Sequence, residues 1–154
     1  MDPTTMLVNL LKLHFGWHLA RIKCLAYIIV ALFKIKTVNL PEVATAFPGT
    51  AEIESHYKRL QRFFKQVEIK PSLIATFVVA FLPYETSTLS IDRTHWMLGC
   101  FHSNFLVLSV VHEGIAFPVL WLFLQKKGNA NTKERMQLID KFIEIFGVEK
   151  IDCL

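Results

Sequence analysis

FLVLSVVHEGIAFPVLWLFL, residues 105–124, is the stretch of sequence that decides the fold. Two runs rich in Val, Leu, Ile and Phe flank the short polar segment His112, Glu113 and Gly114, which is the spacing of a tight β-hairpin. Upstream, residues 89–92 have a similar composition. We therefore predict three strands, arranged as an antiparallel meander, over residues 89–92, 105–111 and 115–124.

The residues that follow predict a helix and a fourth strand. Asn131 precedes Glu134 by three positions, the spacing of a capping box, and Gly147 marks the end of the periodic segment. An apolar stripe along this helix is expected to pack on the sheet. KIDCL, residues 150–154, has the composition of a strand. The order β-β-β-α-β indicates an α+β domain over residues 84–154.

Upstream, the spacing of apolar residues predicts helices through residues 1–83. A long helical segment has a break near Gly16, and a short helix, residues 42–47, is followed by a Pro-Gly turn and a longer helix from residue 51 to about 66. Short helix, turn and longer helix have the outline of a helix-turn-helix, although other packed helical hairpins share it. We predict that residues 1–83 form a helical DNA-binding region.

The longer helix is basic on one face. Its cations lie on a different face of the helix from its apolar residues. They form a candidate DNA-binding set: Lys58, Arg59, Arg62 and Lys65. The charge distribution favours this interpretation, since residues 1–70 carry a formal net charge of +5 and residues 71–154 carry −1. The alternative is a plain amphipathic helix whose cationic face meets solvent.

Apolar residues make up 53% of the chain, and the mean hydropathy is +0.38. The apolar segments at residues 24–33 and 73–82 are only ten residues long each, whereas a membrane-spanning helix needs about 20 residues. Asp2 stands where a signal peptide has Lys or Arg, and no small-residue cleavage site follows. We expect a cytoplasmic protein without a membrane segment; the alternative, a membrane-associated protein, rests on hydropathy alone.

The cysteines and histidines do not form a metal-binding pattern. Cys24, Cys100 and Cys153 are odd in number and far apart, which excludes a disulfide framework and a paired-cysteine zinc motif. We expect them to be buried thiols. His14 and His18 stand one helical turn apart, but the sequence offers no suitable third ligand near them.

Asp92 follows the uncharged residues TLSI at the predicted end of the first strand. Among apolar neighbours an unpaired charge costs free energy unless a cation or the adjacent Arg93 compensates it. Carboxylate oxygens are the ligands that Mg²⁺ prefers. From the residues alone two interpretations stay open, a metal ligand and an Asp that makes a local turn hydrogen bond.

SIDRTHW, residues 90–96, begins a series of motifs that resembles the opening of the catalytic domain in DDE transposases of bacterial insertion sequences, the insertion-sequence-four family. That family has a DRTNW motif, a hairpin ending in GIA.P..W and a KxGNS.T..R loop. This chain has GIAFPVLW at residues 114–121 and KKGNANTKER at residues 126–135. VNLPEVATAFPG and SHYKRLQRFFK, within residues 38–65, are similar to the helical region ahead of that motif. The resemblance covers most of the chain.

The resemblance implies an RNase H-like catalytic domain that cleaves DNA and transfers strands. In this family an Asp, Asp, Glu triad holds two divalent ions, Mg²⁺ or Mn²⁺, about 3.5–4 Å apart. Asp92 matches the first Asp and is thereby the expected catalytic residue and metal ligand. Arg93, Thr94 and Trp96 are expected to support it, and His95 replaces the Asn of the family motif.

The rest of the triad is not matched within this chain. In the family the second Asp follows a strand that starts like KIDCL, within a motif resembling LADREF, and the Glu lies far downstream. Asp152 comes too early in its strand and Glu113 lies in the hairpin turn, so neither is a substitute. We therefore expect a truncated transposase fragment, inactive alone, with an incomplete RNase H-like domain.

The partner that the resemblance implies is DNA at the ends of an insertion sequence, bound at the nucleoid in the bacterial cytoplasm. The alternative is a noncatalytic DNA-binding remnant that recognises such ends while its sheet is only a scaffold. Because the unmatched part of the domain would cover the sheet, we also expect self-association.

Overall fold

The structure is a computed structural model that describes residues 2–82, 86–98, 100–124 and 128–154. Within those residues it contains six α-helices and one mixed sheet of four strands, which confirms the predicted α+β class. None of the helices described is both long and apolar enough to cross a membrane. The chain divides into two compact units, which we call the helical unit, Met1–Glu68, and the sheet unit, Ile69–Leu154.

The helical unit contains four helices: α1 (Pro3–His14), α2 (Leu19–Ile35), α3 (Leu40–Thr45) and α4 (Ile53–Gln66). The gap between α1 and α2 falls at the break predicted near Gly16. His18 caps α2, because its Nδ1 accepts a hydrogen bond from the N–H of Ala20 (3.3 Å). Apolar side chains from all four helices are buried, Leu11 of α1 and Leu60 of α4 among them.

The sheet unit contains α5 (Pro71–Val79), β1 (Ser87–Leu98), β2 (Phe101–His112), β3 (Ile115–Leu124), α6 (Thr132–Phe146) and β4 (Ile151–Cys153). The strands lie in the order β3-β2-β1-β4. The pairs β1–β2 and β2–β3 are antiparallel, whereas β4 runs parallel to β1. The predicted meander, helix and fourth strand are therefore confirmed.

The local signals at the turn and at the helix start are confirmed as well. Glu113 and Gly114 have φ angles of 49° and 77°, and two successive left-handed residues are what a two-residue hairpin turn requires. At α6, the Asn131 side chain accepts from the N–H of Glu134, whose carboxylate accepts in return from the N–H of Asn131. This reciprocal pair is the capping box that the sequence predicts.

The first two strands are longer than the sequence pattern predicts. Composition indicates a first strand over residues 89–92, but β1 pairs with β2 without a bulge from Thr88 opposite Val111 to Leu98 opposite Phe101. The continuous backbone ladder carries both strands through polar residues that are not β-favouring by themselves.

The division between the units lies earlier than the boundary predicted at residue 83. The helix α5 belongs to the sheet unit, because Ala75 is fully buried in the cluster formed by the sheet and α6. Val78 and Val79 pack against the same cluster. An apolar helix suits a helical bundle and a sheet equally well, so its composition did not indicate which of them it would cover.

The two faces of the sheet differ in their environment. Leu89, Leu106 and Leu108 point to the helix-covered face, where they share a buried cluster with Leu138 and Phe142 of α6. Alternate positions point the other way. We call that surface the open face, and its members are Asp92, Thr94, Trp96, Phe105, Val107, Trp121 and Phe123.

The cysteines only partly follow the prediction of buried thiols. Cys24 is buried in α2, but Cys100 and Cys153 are exposed, so the prediction is wrong for these two. Cys100 follows the end of β1 and Cys153 lies on β4, the strand at the edge of the sheet. An edge strand buries less of its side chains than a central one, which composition does not indicate.

Candidate functional site

Asp92 lies in the middle of β1 and not at its end, because the β1–β2 ladder continues to Leu98. Its cross-strand partner is Val107, which places the carboxylate on the open face. The side chain is exposed, and its Oδ1 accepts a hydrogen bond from the N–H of Arg93 (2.7 Å). An exposed carboxylate on a central strand can serve as one ligand of a cation.

The surface beside Asp92 is apolar. It contains a cavity of about 430 Å³ lined by Thr94, Trp96, Phe105, Val107, Pro118 and Trp121. The Trp96 ring meets the Phe105 ring edge to face, with centroids 6.1 Å apart. Two of the predicted supporting residues, Thr94 and Trp96, therefore share the open face with Asp92.

Arg93, the third predicted supporting residue, points to the opposite face. Its Nη1 donates a hydrogen bond to the carbonyl oxygen of Gly128 (3.2 Å), and Nδ2 of Asn104 donates to the same oxygen (3.1 Å). Arg93 thus anchors the segment that precedes α6. The sequence did not predict this role of Asn104. The one sequence feature that could have indicated it is a polar amide within an otherwise apolar strand, and the structure leaves that side chain only 3% exposed.

His95, which replaces the Asn of the family motif, lies on the same face as Arg93. Its Nε2 is 3.0 Å from Nδ1 of His102 on β2, and the two rings are inclined by 22°. One ring donates this hydrogen bond through its N–H, and the nitrogen of the other ring accepts it. The substituted residue is therefore joined to the neighbouring strand and lies away from Asp92.

The described residues do not form a complete metal site. Among them no group of three His, Cys, Asp or Glu side chains could hold a metal ion, so Asp92 supplies a single carboxylate. Asp152 and Glu113 line a separate cavity of about 380 Å³ with Thr88, near the start of β1. The residues present do not by themselves fit a pair of divalent ions, which needs several oxygen ligands per ion.

The four predicted DNA-binding residues of α4 have different environments. Lys58 forms an exposed ion pair with Glu54 (3.6 Å) one turn earlier. The Arg62 side chain is exposed, and its Nε donates to the carbonyl oxygen of Lys58 (3.4 Å). Lys65 is also exposed. Three of the four cations are therefore accessible to a polyanion.

Arg59 is the exception, because it is half-buried between helices. Its guanidinium lies over the Tyr27 ring, 5.4 Å from the centroid. It also approaches the thiol of Cys24: burial raises the pKa of Cys24, and the charge of Arg59 and its hydrogen bond oppose that rise. Arg59 therefore contributes to packing as well as to surface charge.

No family model, curated protein or solved structure matches this chain. The candidate sites are accordingly defined by geometry alone. One is Asp92 on the open face of the sheet unit, and the other is the cationic surface of α4 in the helical unit.

Proposed function

We propose that this chain is part of a DDE transposase, in which the helical unit binds DNA and the sheet unit is the opening of an RNase H-like catalytic domain. The observation that carries the proposal is the strand order β3-β2-β1-β4 with β4 parallel to β1. An RNase H-like sheet begins in this order. The first metal-binding carboxylate of such a domain belongs to its first strand, as Asp92 does.

The register of β4 adds support for a role of Asp92. After a shift in register, Thr88 of β1 lies opposite Cys153 of β4, and Asp92 is four residues further along β1 on the same face. A continuation of β4 in the same register would bring a residue beyond Leu154 beside Asp92, about 4.8 Å away across the sheet. The transposase family has its second Asp in that part of the sequence.

Mg²⁺ or Mn²⁺ is the ion that this proposal requires. If bound, two such ions would supply Lewis-acid activation of the attacking oxygen and stabilisation of the leaving oxygen of a phosphodiester. Of the chain's own residues, Asp92 would hold one ion position from the rigid central strand. The remaining ligands would come from carboxylates that the described residues do not include.

We expect the purified chain neither to nick nor to join DNA in Mg²⁺ or Mn²⁺, because one carboxylate cannot hold two ions. Nicking of a supercoiled plasmid is the measurement. Joining the chain to the carboxyl-terminal part of an insertion-sequence-four transposase, with a plasmid that carries that element's ends, should restore metal-dependent nicking. Asp92→Asn should abolish it, while Ser90→Ala on the same strand should retain it.

Two results would contradict the catalytic proposal. Nicking by the chain alone that Asp92→Asn abolishes would show that the site is complete without further carboxylates. Restored nicking that is indifferent to Asp92→Asn would show that the carboxylate has no role.

DNA binding by α4 has its own test. If Lys58, Arg59, Arg62 and Lys65 all contact phosphates, the logarithm of the binding constant should fall with the logarithm of salt concentration with a slope of about −3.6. Replacing both Arg62 and Lys65 with Ala should flatten the slope by about 1.8. Fluorescence anisotropy with a short DNA duplex measures it.

The matched control removes two cations from the other unit, Lys133→Ala with Lys141→Ala, and should leave the slope unchanged. Both residues are exposed on α6. A slope that responds equally to both pairs would mean that the chain attracts DNA through its net charge and not through α4.

The second candidate function is a noncatalytic DNA-binding protein. One contrast favours it. All four predicted DNA-binding cations are present on α4, whereas Asp92 is a single carboxylate of a metal site that needs several ligands. Sequence-specific protection of insertion-sequence ends, without nicking in the joined protein, would favour this alternative.

A further inference from the structure

The helical unit contains a cavity with three arginines at its wall. It has a volume of about 350 Å³ and lies where the first turn of α2 meets the last turns of α4. The side chains that matter for its chemistry are Arg21, Cys24, Arg59, Arg62, Phe63 and Gln66. The sequence did not indicate this grouping, because Arg21 is far from α4 along the chain.

Helix geometry explains why the arginines meet. Arg59 and Arg62 are three residues apart and share one side of α4. Arg21 comes from α2, whose Cys24 and Tyr27 contact Arg59 on the same side. Packing of α2 against α4 thus brings the third guanidinium to the pair.

One of the arginines is held in place by packing, and a second makes an exposed hydrogen bond to its own helix. Arg59 is fixed between the Tyr27 ring, the Cys24 thiol and its own helix, and Arg62 donates to the carbonyl oxygen of Lys58 (3.4 Å). A ligand that binds pre-positioned side chains loses less free energy to ordering them. The cavity is therefore better prepared for an anion than three freely rotating surface arginines.

Among the described residues, no carboxylate forms an ion pair with an arginine of the cavity. Within the described ranges of the chain, the ion pair closer than 4 Å is that of Lys58 with Glu54, and it does not include an arginine of the cavity. The cavity also adjoins the first turn of α2, where the helix dipole adds partial positive charge. Three guanidinium groups and a helix start together favour an oxyanion.

Guanidinium groups match the oxygens of phosphate in paired hydrogen bonds. The cavity is larger than a phosphate needs, and its volume is at the lower end of small-molecule sites. Phe63, although only 5% exposed, forms with Val67 the apolar part of the lining beside the arginines. Charge and size therefore point to a phosphate that carries an organic group.

We infer that this cavity binds one phosphate of a DNA strand, with the three arginines on its non-bridging oxygens and the adjoining sugar beside this apolar lining. The inference deepens the proposed DNA-binding function and rests on it for the source of the phosphate. It adds to the cations along α4 one specific phosphate contact, in which Arg21 takes part and Lys65 does not.

The first experiment uses inorganic phosphate as the probe and the full chain as the protein. Isothermal titration at constant ionic strength, with chloride as the reference anion, measures its affinity. Arg21→Ala and Arg62→Ala should each weaken phosphate binding about tenfold, the loss expected for one charged hydrogen-bonding group. Lys34→Ala, the control on the same helix as Arg21 with the same change of charge, should stay within about twofold, because the exposed Lys34 does not line the cavity.

Arg59 needs a gentler substitution, because its contacts with Tyr27 and Cys24 are part of the packing. Arg59→Lys keeps the charge but loses the paired hydrogen-bond geometry, so it should weaken phosphate binding while the thermal unfolding midpoint changes little. Equal weakening by Lys34→Ala and Arg62→Ala would overturn the inference. Phosphate binding no stronger than chloride binding would also overturn it.

The second experiment separates the cavity from DNA binding in general. Arg21→Ala should weaken binding of a DNA duplex and flatten its salt dependence by about 0.9, and phosphate should compete with DNA for the chain. If DNA binding depends on Lys65 but not on Arg21, the cavity inference fails while DNA binding by α4 stands. If phosphate binds with the predicted arginine dependence but DNA does not bind, the DNA source and the proposed DNA-binding function both fail.

Discussion

Replacing Phe142 with Ala should lower the free energy of unfolding of the sheet unit by about 3–5 kcal/mol. Phe142 is 1% exposed and lies in the cluster between α6 and the sheet, with its ring centroid 4.8 Å from that of Phe146. Removing the ring deletes its apolar burial and leaves a cavity between two elements that cannot close fully. A loss of this size is a large part of the stability of a typical domain.

Urea unfolding followed by tryptophan fluorescence measures this effect. In a Trp17→Phe background the two remaining tryptophans, Trp96 and Trp121, both report on the sheet unit. Met136→Ala is the matched control on the same helix, because Met136 is 55% exposed and should change stability by less than about 0.5 kcal/mol. Equal, small losses in both variants would mean that α6 does not cover the sheet.

The open face should make the chain self-associate as its concentration rises. Trp96 is 59% exposed, Phe123 48% and Trp121 37%, and these rings form one apolar surface with Phe105 and Val107. Burying such a surface between molecules removes apolar area from water. Replacing Trp96 and Trp121 with Thr, which keeps strand propensity, should shift the chain toward monomer and reduce binding of an apolar dye.

Size-exclusion chromatography with light scattering at several concentrations is the measurement. Phe33→Thr is the control, because Phe33 is an exposed aromatic residue of the helical unit. It should leave association unchanged. If the proposed function holds, supplying the carboxyl-terminal part of an insertion-sequence-four transposase, joined to the chain or added separately, should increase solubility. A wild-type chain that stays a dye-silent monomer at every concentration would contradict the prediction.

Much of the candidate site could not be predicted because side-chain direction depends on strand pairing. Arg93 and Thr94 are adjacent in sequence, yet Arg93 reaches Gly128 on one side of the sheet and Thr94 lines the open face on the other. The sequence motif groups them as a unit. The alternation of the strand separates them.

Long-range packing limits the prediction of α4 in a similar way. Its amphipathic pattern indicates which positions are cationic, but four equivalent cations are expected from that pattern alone. The structure makes Arg59 a half-buried packing residue and brings Arg21 beside it from α2. Contacts between helices that are distant in sequence leave no mark in the periodicity of either one.

The sequence by itself determined the α+β class, the two-residue turn at Glu113 and Gly114, and the capping box of α6, because each depends on residues within a few positions of one another. Only the tertiary structure decided three other features: the length of β1, the assignment of α5 to the sheet unit, and the face on which Asp92 lies. Each of these depends on a partner that is distant in sequence. The length of β1 and the face of Asp92 depend on pairing with β2, and the assignment of α5 depends on the burial of Ala75 in the sheet cluster. Local propensity differs too little between the alternative strand lengths, helix positions and side-chain faces to select one of them. The free energy that selects one comes from burial against the distant partner.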